Sequence, residues 1–371
     1  MVVRFNGGHQ AGHTVVTSEG KRHIFSNFGS GTLRGIPTYW SKYCTFSPES
    51  TSNEYKELKK LDVSPTLIVD QRCPITTHYD ILYNRAIEAT RGSARHGSCG
   101  QGFGATIERH NLKKIKLYAQ DLLVPSLLKE KLHNIRLYYK KKINQETQFT
   151  FEQFDHDKED ELFHQYVVEI YKLNQEGNIR FLKESEIFSW SHEWESFVFE
   201  GAQGILLDED FGFYPYVTRS NTTSKNAINI LNNYSLFNFD IEIFYVTRSY
   251  LTRHGAGPFP EDRCISLVNV EEESNNYNKY QGEFKTSCLD IDLLNYSLRC
   301  DTKFSSNFKK KLLVTCLDQM PNNFVPIYQN NTLKVIACND LCGFLEYTFE
   351  SCLFSYNKCS EHLGNHDFIM T

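Results

Sequence analysis

The sequence predicts an α/β fold. Three observations point to it. Short apolar strands stop abruptly at glycine-rich turns with polar tips. Stretches of helical pattern separate several of them. The 371 residues carry no Pro/Ser/Gly-rich linker that would divide them, so one domain over 1–371 is expected. The central case is Ser196-Phe197-Val198-Phe199, a strand that breaks into Glu200-Gly201-Ala202-Gln203-Gly204. A buried strand ending in small residues and polar tips is how an α/β protein presents groups to a ligand.

Taken in order, Val2-Val3-Arg4-Phe5 reads as the first strand. Residues 53–62 read as a helix, Thr66-Leu67-Ile68-Val69-Asp70 as a buried strand, and His78 to Ala89 as a helix. Residues 117–143 have helical pattern and end in the basic run Lys140-Lys141-Lys142, which suits a solvated helix end. The acidic stretch Asp155 to Glu161 starts the next helix. Ile241 to Val246 alternates like a strand, and Leu312-Leu313-Val314-Thr315-Cys316-Leu317-Asp318 is a strand with a polar end.

Composition narrows the function classes. A net charge of -5 argues against a general nucleic-acid binder, and no apolar run approaches membrane-spanning length. Eleven cysteines without a repeating spacing suggest reduced thiols in a cytoplasmic protein. Cys338, Cys342, Cys352 and Cys359 cluster near the end, but their spacing is a poor zinc pattern, and buried thiols are the expectation.

Chemistry concentrates in loops. Asn6-Gly7-Gly8-His9-Gln10-Ala11-Gly12-His13-Thr14 lets backbone approach a ligand closely, with a histidine that can donate to a phosphate or move a proton. Gly97-Ser98-Cys99-Gly100-Gln101-Gly102-Phe103-Gly104 offers backbone amides to an anion. Tyr214-Pro215-Tyr216 is a rigid corner, followed by the hydrogen-bonding groups of Thr218, Ser220, Asn221, Thr222 and Thr223.

In this order these stretches resemble the adenylosuccinate synthetases, P-loop-related enzymes that join aspartate to IMP using GTP. The family carries G-G-x-N-A-G-H-T where this chain has Gly7 to Thr14, G-T-T-G-x-G-x-G-P at 97–104, and T-R-V-G-A-G-P-F-P-T-E near Thr252 to Glu261. Ser30-Gly31 with Arg34-Gly35-Ile36 follows the family's S-G-x-L pattern weakly. The resemblance implies a large, mostly parallel central sheet flanked by helices, a homodimer, and magnesium beside GTP. It implies that His13 stabilises the transferring phosphoryl group and that the Gly12 carbonyl reaches magnesium, with Thr14 in the same nucleotide loop. Gln203 and Thr218 would hold the purine nucleotide, and Glu200 would brace its loop. Gln10 stands where the family has a nucleotide-touching asparagine. Ser98 and Cys99 stand where two threonines grip the IMP phosphate, and Lys113 where an arginine reaches the partner's IMP.

The departures bear on substrate. Cysteine is a weak donor, so the Cys99 contact is weakened, and lysine at 113 loses the bidentate fork. His254 replaces a ribose-touching valine; Arg253 beside it reads equally as an anion clamp or a structural arginine. The family's arginine-rich aspartate loop is replaced by Tyr280 to Asp290, with one cation at Lys285 and an added Glu283. A dicarboxylate needs compensating cations, so an amine-bearing or neutral co-substrate suits this loop better. Asp318 matches the aspartate that reads guanine, while Cys316 replaces the neighbouring lysine. The phosphate loop G-D-E-G-K-G-K lies upstream of this segment in the family, and no G-x-x-x-x-G-K-[ST] occurs here. The expectation is that an upstream segment carries it, with true loss as the alternative. The implied function is a purine-nucleotide ligase acting through a 6-phosphoryl intermediate. A divergent ligase with another amine or a dGMP-type purine, and a non-catalytic nucleotide binder, are the alternatives.

Overall fold

The computed structural model describes residues 1–189, 194–236, 239–268, 277 and 279–357. The chain forms two compact units and passes between them more than once. Met1–Thr14, Ile24–Gly204 and Thr218–Thr222 make the first; Val15–His23, Ile205–Val217 and Thr223–Thr371 make the second.

In chain order the elements up to residue 200 are β1 (Val2–Arg4), β2 (His13–Val16), β3 (Arg22–Phe25), β4 (Thr38–Trp40), α1 (Pro48–Lys60), β5 (Leu67–Asp70), α2 (His78–Arg91), α3 (Phe103–His110), α4 (Pro125–Glu146), α5 (His156–Gln175), β6 (Ile179–Leu182), α6 (Glu184–Phe188) and β7 (Val198–Glu200). The first unit is built on a five-stranded sheet in the order β6-β5-β4-β1-β7, and every pairing in it is parallel. Its inner strands are buried along their length: Val3, Tyr39, Leu67 and Val69 are fully buried, and so are the polar Arg4 and Thr38. The register sets Arg4 between Trp40 and Glu200. Strands β2 and β3 form a separate ribbon.

Helix boundaries follow local chemistry. Helix α1 starts earlier than its apolar pattern suggested, because the Ser47 hydroxyl accepts from the Ser50 amide and Pro48 suits the first turn. It stops before Asp62, which takes a φ of 60°. The helix expected over 117–143 begins only at Pro125. Residues 119–123 form a 3-10 turn instead. Proline lacks the amide that a continuing helix requires, so it opens α4 rather than sitting inside it. Asp155 caps α5 where an acidic start was expected.

Helix α2 opens with a reciprocal cap. The Thr77 hydroxyl accepts from the Asp80 amide, and the Asp80 carboxylate accepts from the Thr77 amide at 2.7 Å. The same carboxylate takes Arg109 of α3 through Nε at 2.9 Å and Nη2 at 3.0 Å, and the Tyr139 hydroxyl of α4 at 2.7 Å. Asp80 and Arg109 are fully buried. Burial alone would raise the Asp80 carboxyl pKa; Arg109 and the hydrogen bonds reverse that and hold it below the ordinary range.

The second unit contains α7 (Lys225–Asn233), β8 (Glu242–Arg248), β9 (Tyr250–His254), β10 (Phe284–Asp290), α8 (Ile291–Ser305), β11 (Lys309–Thr315), β12 (Phe324–Gln329), β13 (Thr332–Ala337) and β14 (Ser351–Phe354). Strands β14-β11-β8 form a parallel sheet. Strands β13-β12-β10-β9 form a mixed one, parallel only between β10 and β12. Ile291, Leu312, Val314, Val325, Ile327, Leu341 and Phe354 make its core.

Among the described residues no helix is long and apolar enough to cross a membrane, and no cluster of three or more His, Cys, Asp or Glu is placed to hold a metal. The expectation of reduced thiols throughout is corrected at one pair: Cys342 and Cys352 are joined by a disulfide. The fold sets the turn holding Cys342 beside β14, a proximity the linear spacing does not reveal. Cys338 stays a buried free thiol, and Cys359 lies outside the described residues.

Candidate functional site

The site of the first unit lies where β1 and β7 end side by side, since parallel strands deliver their following loops to one edge. After β1 the chain runs through Asn6 into the glycine loop. The Asn6 side chain is fully buried. It accepts from the Ala202 amide and donates to the Ala202 carbonyl, both at 2.8 Å, and so fastens this loop to the one after β7. The Gly7 amide reaches the Ser220 hydroxyl at 3.4 Å. Gly8 must lack a side chain: a Cβ there would stand 2.3 Å from the Thr45 Oγ1.

His13 is held by Glu200. Its Nδ1 bonds the Glu200 Oε1, while the other carboxylate oxygen accepts from the Ser30 amide and hydroxyl, each at 3.0 Å. Arg4 Nη1 stands 3.7 Å from Oε1. Arg4 is wholly buried, its guanidinium 5.2 Å from the Trp40 ring centroid, and none of its nitrogens has a hydrogen-bond partner among the described residues. Burial pushes the Glu200 carboxyl up, but the His13 bond, the charges of Arg4 and His13, and Ser30 overcome it and hold the pKa at about 2. Glu200 is therefore an acceptor only, and the His13 nitrogen facing it carries a proton. That arrangement leaves Nε2 for a ligand.

Next to this pair, Gln10 is partly buried, and both atoms of its amide are buried without partners among the described residues. His9 bonds Gln101. Burial pushes its imidazole down to about 4, against the pulls of Gln101 and Glu54, so it is neutral at pH 7. Gly12 and Thr14 are exposed; Gln203 is exposed in a turn with φ of 66°, and Thr218 is half-buried. Ser98 is half-buried and accepts from Asn84 at 2.9 Å. Cys99 is half-buried, and burial raises its thiol pKa. Lys113 is exposed in a 3-10 turn.

Two shifted histidines and Glu200 set an acid response. Burial likewise pushes His110 down to about 3. In the unfolded chain these imidazoles take protons near 6.5, so stability falls as pH drops from about 6.5 toward 4 and 3. The Glu200 contribution is fully present above the ordinary 4.5 and is lost as pH falls toward 2; it amounts to about 3 kcal/mol. We expect urea midpoints measured from pH 7 to 3 to fall throughout, with Glu200→Gln making the fall shallower only below about pH 4.5, where His9, His110 and Asp80 still contribute. An unchanged fall below that pH in the variant would contradict the Glu200 assignment.

In the second unit Arg253 and Lys285 are paired across β9 and β10. Arg253 donates to the Ala256 carbonyl from Nε at 2.8 Å and Nη2 at 2.6 Å, and to the Tyr216 carbonyl at 3.2 Å. Lys285 is ion-paired to Glu261 at 2.5 Å. His254 bonds the Gly282 carbonyl at 3.1 Å. Asp318 lies in the turn Leu317–Gln319, just past β11, and accepts from Gln319 at 3.2 Å.

The structure thus brings Gln10, His13 and Glu200 onto one framework. Sequence reading missed Arg4 and Asn84 and gave Glu200 only a bracing part. A lone arginine closing an apolar strand was the one available signal for Arg4.

The family model for adenylosuccinate synthetase matches residues 1–322. The adenylosuccinate synthetase of Coxiella burnetii is 33% identical over 293 residues, covering 76% of this chain and 62% of that protein. That of Thermoplasma volcanium is 30% identical over 312 residues, covering 81% and 67%. The chain therefore spans less than two thirds of the Coxiella relative. The fully ligated adenylosuccinate synthetase of Plasmodium falciparum superposes with a TM-score of 0.66 at 21% identity, over 90% of this chain and 76% of that one. The cyanophage S-2L succinoaminodeoxyadenylate synthetase, bound to dGMP and dATP, gives 0.63 at 14% identity, over 100% and 87%.

Proposed function

The chain belongs to the adenylosuccinate synthetase family, and from that premise we propose that it is a purine-nucleotide ligase. It phosphorylates the 6-oxygen of a purine mononucleotide from a nucleoside triphosphate, with IMP, GTP and aspartate as the first assignment. The nucleoside diphosphate leaves and the purine N1 proton passes to solvent; the amine nitrogen then bonds C6 as the C6–oxygen bond breaks, the electron pair leaves with phosphate, and the nitrogen sheds a proton to solvent. The observation that carries this reading is the His13–Glu200 pair, with Arg4 and Ser30 behind it.

The first step develops charge on the transferred phosphoryl oxygens, and catalysis there is positioning plus charge stabilisation. With both ring nitrogens protonated, His13 donates from Nε2 to those oxygens. Glu200 retains the proton on Nδ1 and fixes the ring, a task that requires it to stay ionised, as its low pKa provides. Gln10, Gln203 and Thr218 hold the purine mononucleotide and Ser98 its phosphate, while Asp318 reads the guanine edge of GTP. Exposed Lys113 reaches the nucleotide of a second copy.

Among the described residues magnesium finds only part of its shell and would draw the rest from triphosphate oxygens and water. Gly12 offers one carbonyl oxygen, and the carboxylate of this cluster, Glu200, is committed to His13 and Ser30. An octahedral cation needs further oxygens, so no step above is routed through it.

The second reading is a ligase for another amine or purine. Lys285 favours it: the one cation of that loop is already paired to Glu261. The test is phosphate release with IMP or dGMP, GTP or ATP, magnesium, and aspartate or a panel of other amino acids. Release that requires all three substrates supports the ligase. Preference for aspartate with IMP removes the second reading. Nucleotide binding without release in any combination overturns both, in favour of a non-catalytic binder.

A further inference from the structure

The loop over 96–102 is gripped by one face of α2. The carboxylate of Glu88, 7% exposed, accepts from the amides of His96 at 3.3 Å, Gly97 at 2.8 Å and Ser98 at 3.2 Å. Arg91 Nη1 pairs with it at 2.6 Å. Four residues before Glu88 on the same face, Asn84 accepts from the Gly102 amide at 3.1 Å and donates to the Ser98 hydroxyl at 2.9 Å. Arg85 Nε donates to the Gly100 carbonyl at 3.0 Å. The anchoring continues at Gly102, where a Cβ would meet the Ile81 amide at 2.7 Å.

Two consequences follow. The first three amides of the loop already hold an internal carboxylate, so they are not available to a bound phosphate. The Asn84 amide also has one possible orientation. The Gly102 N–H needs an oxygen, so the atom toward Ser98 is Nδ2, a donor. A serine hydroxyl has one proton and two lone pairs. Ser98 spends a lone pair on Asn84, and its proton has no acceptor among the described residues.

We propose that Asn84 is a positioning residue that turns the Ser98 O–H outward as a hydrogen-bond donor to the phosphate of a nucleoside monophosphate. The loop reads that phosphate through this hydroxyl because Glu88 fills its leading amides. The inference rests on the proposed reading of the loop as the monophosphate subsite. A group at 84 that accepts instead of donating pulls the Ser98 proton inward and leaves a lone pair facing the phosphate.

The test is calorimetric binding of IMP and of inosine to the whole chain with N84D, N84A, S98A and the doubles N84D/S98A and N84A/S98A. N84D is expected to weaken IMP tenfold or more and inosine less than twofold. N84A, which frees the hydroxyl to rotate, should weaken IMP two- to fivefold. Both effects should vanish in the S98A background. S98A with an unchanged preference for IMP over inosine would overturn the subsite reading itself. S98A with that preference lost, but N84D equal to wild type or equally damaging without Ser98, would leave the subsite and overturn the role of Asn84. The damaging-without-Ser98 outcome is what simple charge repulsion or loss of loop structure would give. N84A keeps the question answerable if N84D does not fold.

Discussion

Replacing His13 with asparagine is expected to lower the rate of phosphate release by two to four orders of magnitude, roughly the range for loss of a positioned proton donor or charge stabiliser. The ring is partly exposed, and its Nδ1 is fixed by a carboxylate, which leaves Nε2 for the transferred group. The loss should fall on the chemical step. Nucleotide binding should change by less than threefold, because Gln10, Ser98 and Thr218 are untouched. Single-turnover phosphate release and equilibrium binding separate the two. Glu200→Gln gives the complementary result: the ring remains but Nδ1 loses its charged acceptor, and a smaller fall of roughly tenfold to a hundredfold is expected. Equal rates in wild type and the asparagine variant would remove His13 from the mechanism.

The largest stability effect is expected at Arg109→Met, about 3–5 kcal/mol. This change leaves the Asp80 carboxylate fully buried with its chief counter-charge gone, and it strips the Ile75 and Ile115 carbonyls of donors held at 2.7 Å. Uncompensated buried charge is what makes the single change severe, since charge in the interior is poorly solvated. The double change Asp80→Asn with Arg109→Met should recover a good part of the loss, because nothing charged remains unpaired. Urea unfolding followed by near-UV circular dichroism measures both. A single variant within 1 kcal/mol of wild type would show that the pair is solvated rather than buried. The consequence extends to the site: Asp80 caps α2, and α2 carries the Asn84 and Glu88 that hold the 96–102 loop.

Much of the architecture was legible in the chain. Strands β1, β5, β7 and β8 and helices α1, α2 and α5 announce themselves through apolar runs, helical spacing and caps, all set within a few residues. The motifs in the glycine loops carry a family resemblance that implies the mostly parallel sheet, and the comparisons bear out both the family and the sheet. The glycine loops could be found because close backbone approach demands that residue and little else.

What the tertiary structure alone decided is which side chains meet. Glu200 lies 187 residues from His13 and 170 from Ser30, so no local period can reveal that its two carboxylate oxygens join them. The register of β1 against β7 sets Arg4 beside it. The internal carboxylate under the 96–102 loop comes from a helix face whose direction depends on packing against α4. The pairing of Lys285 with Glu261 depends on where β9 and β10 lay their ends. Secondary structure is written in neighbouring residues because backbone hydrogen bonds and sterics act over a few positions. Charge pairing, burial and the resulting pKa shifts arise only once distant segments share one interior, where the dielectric is low and each group must find its partner.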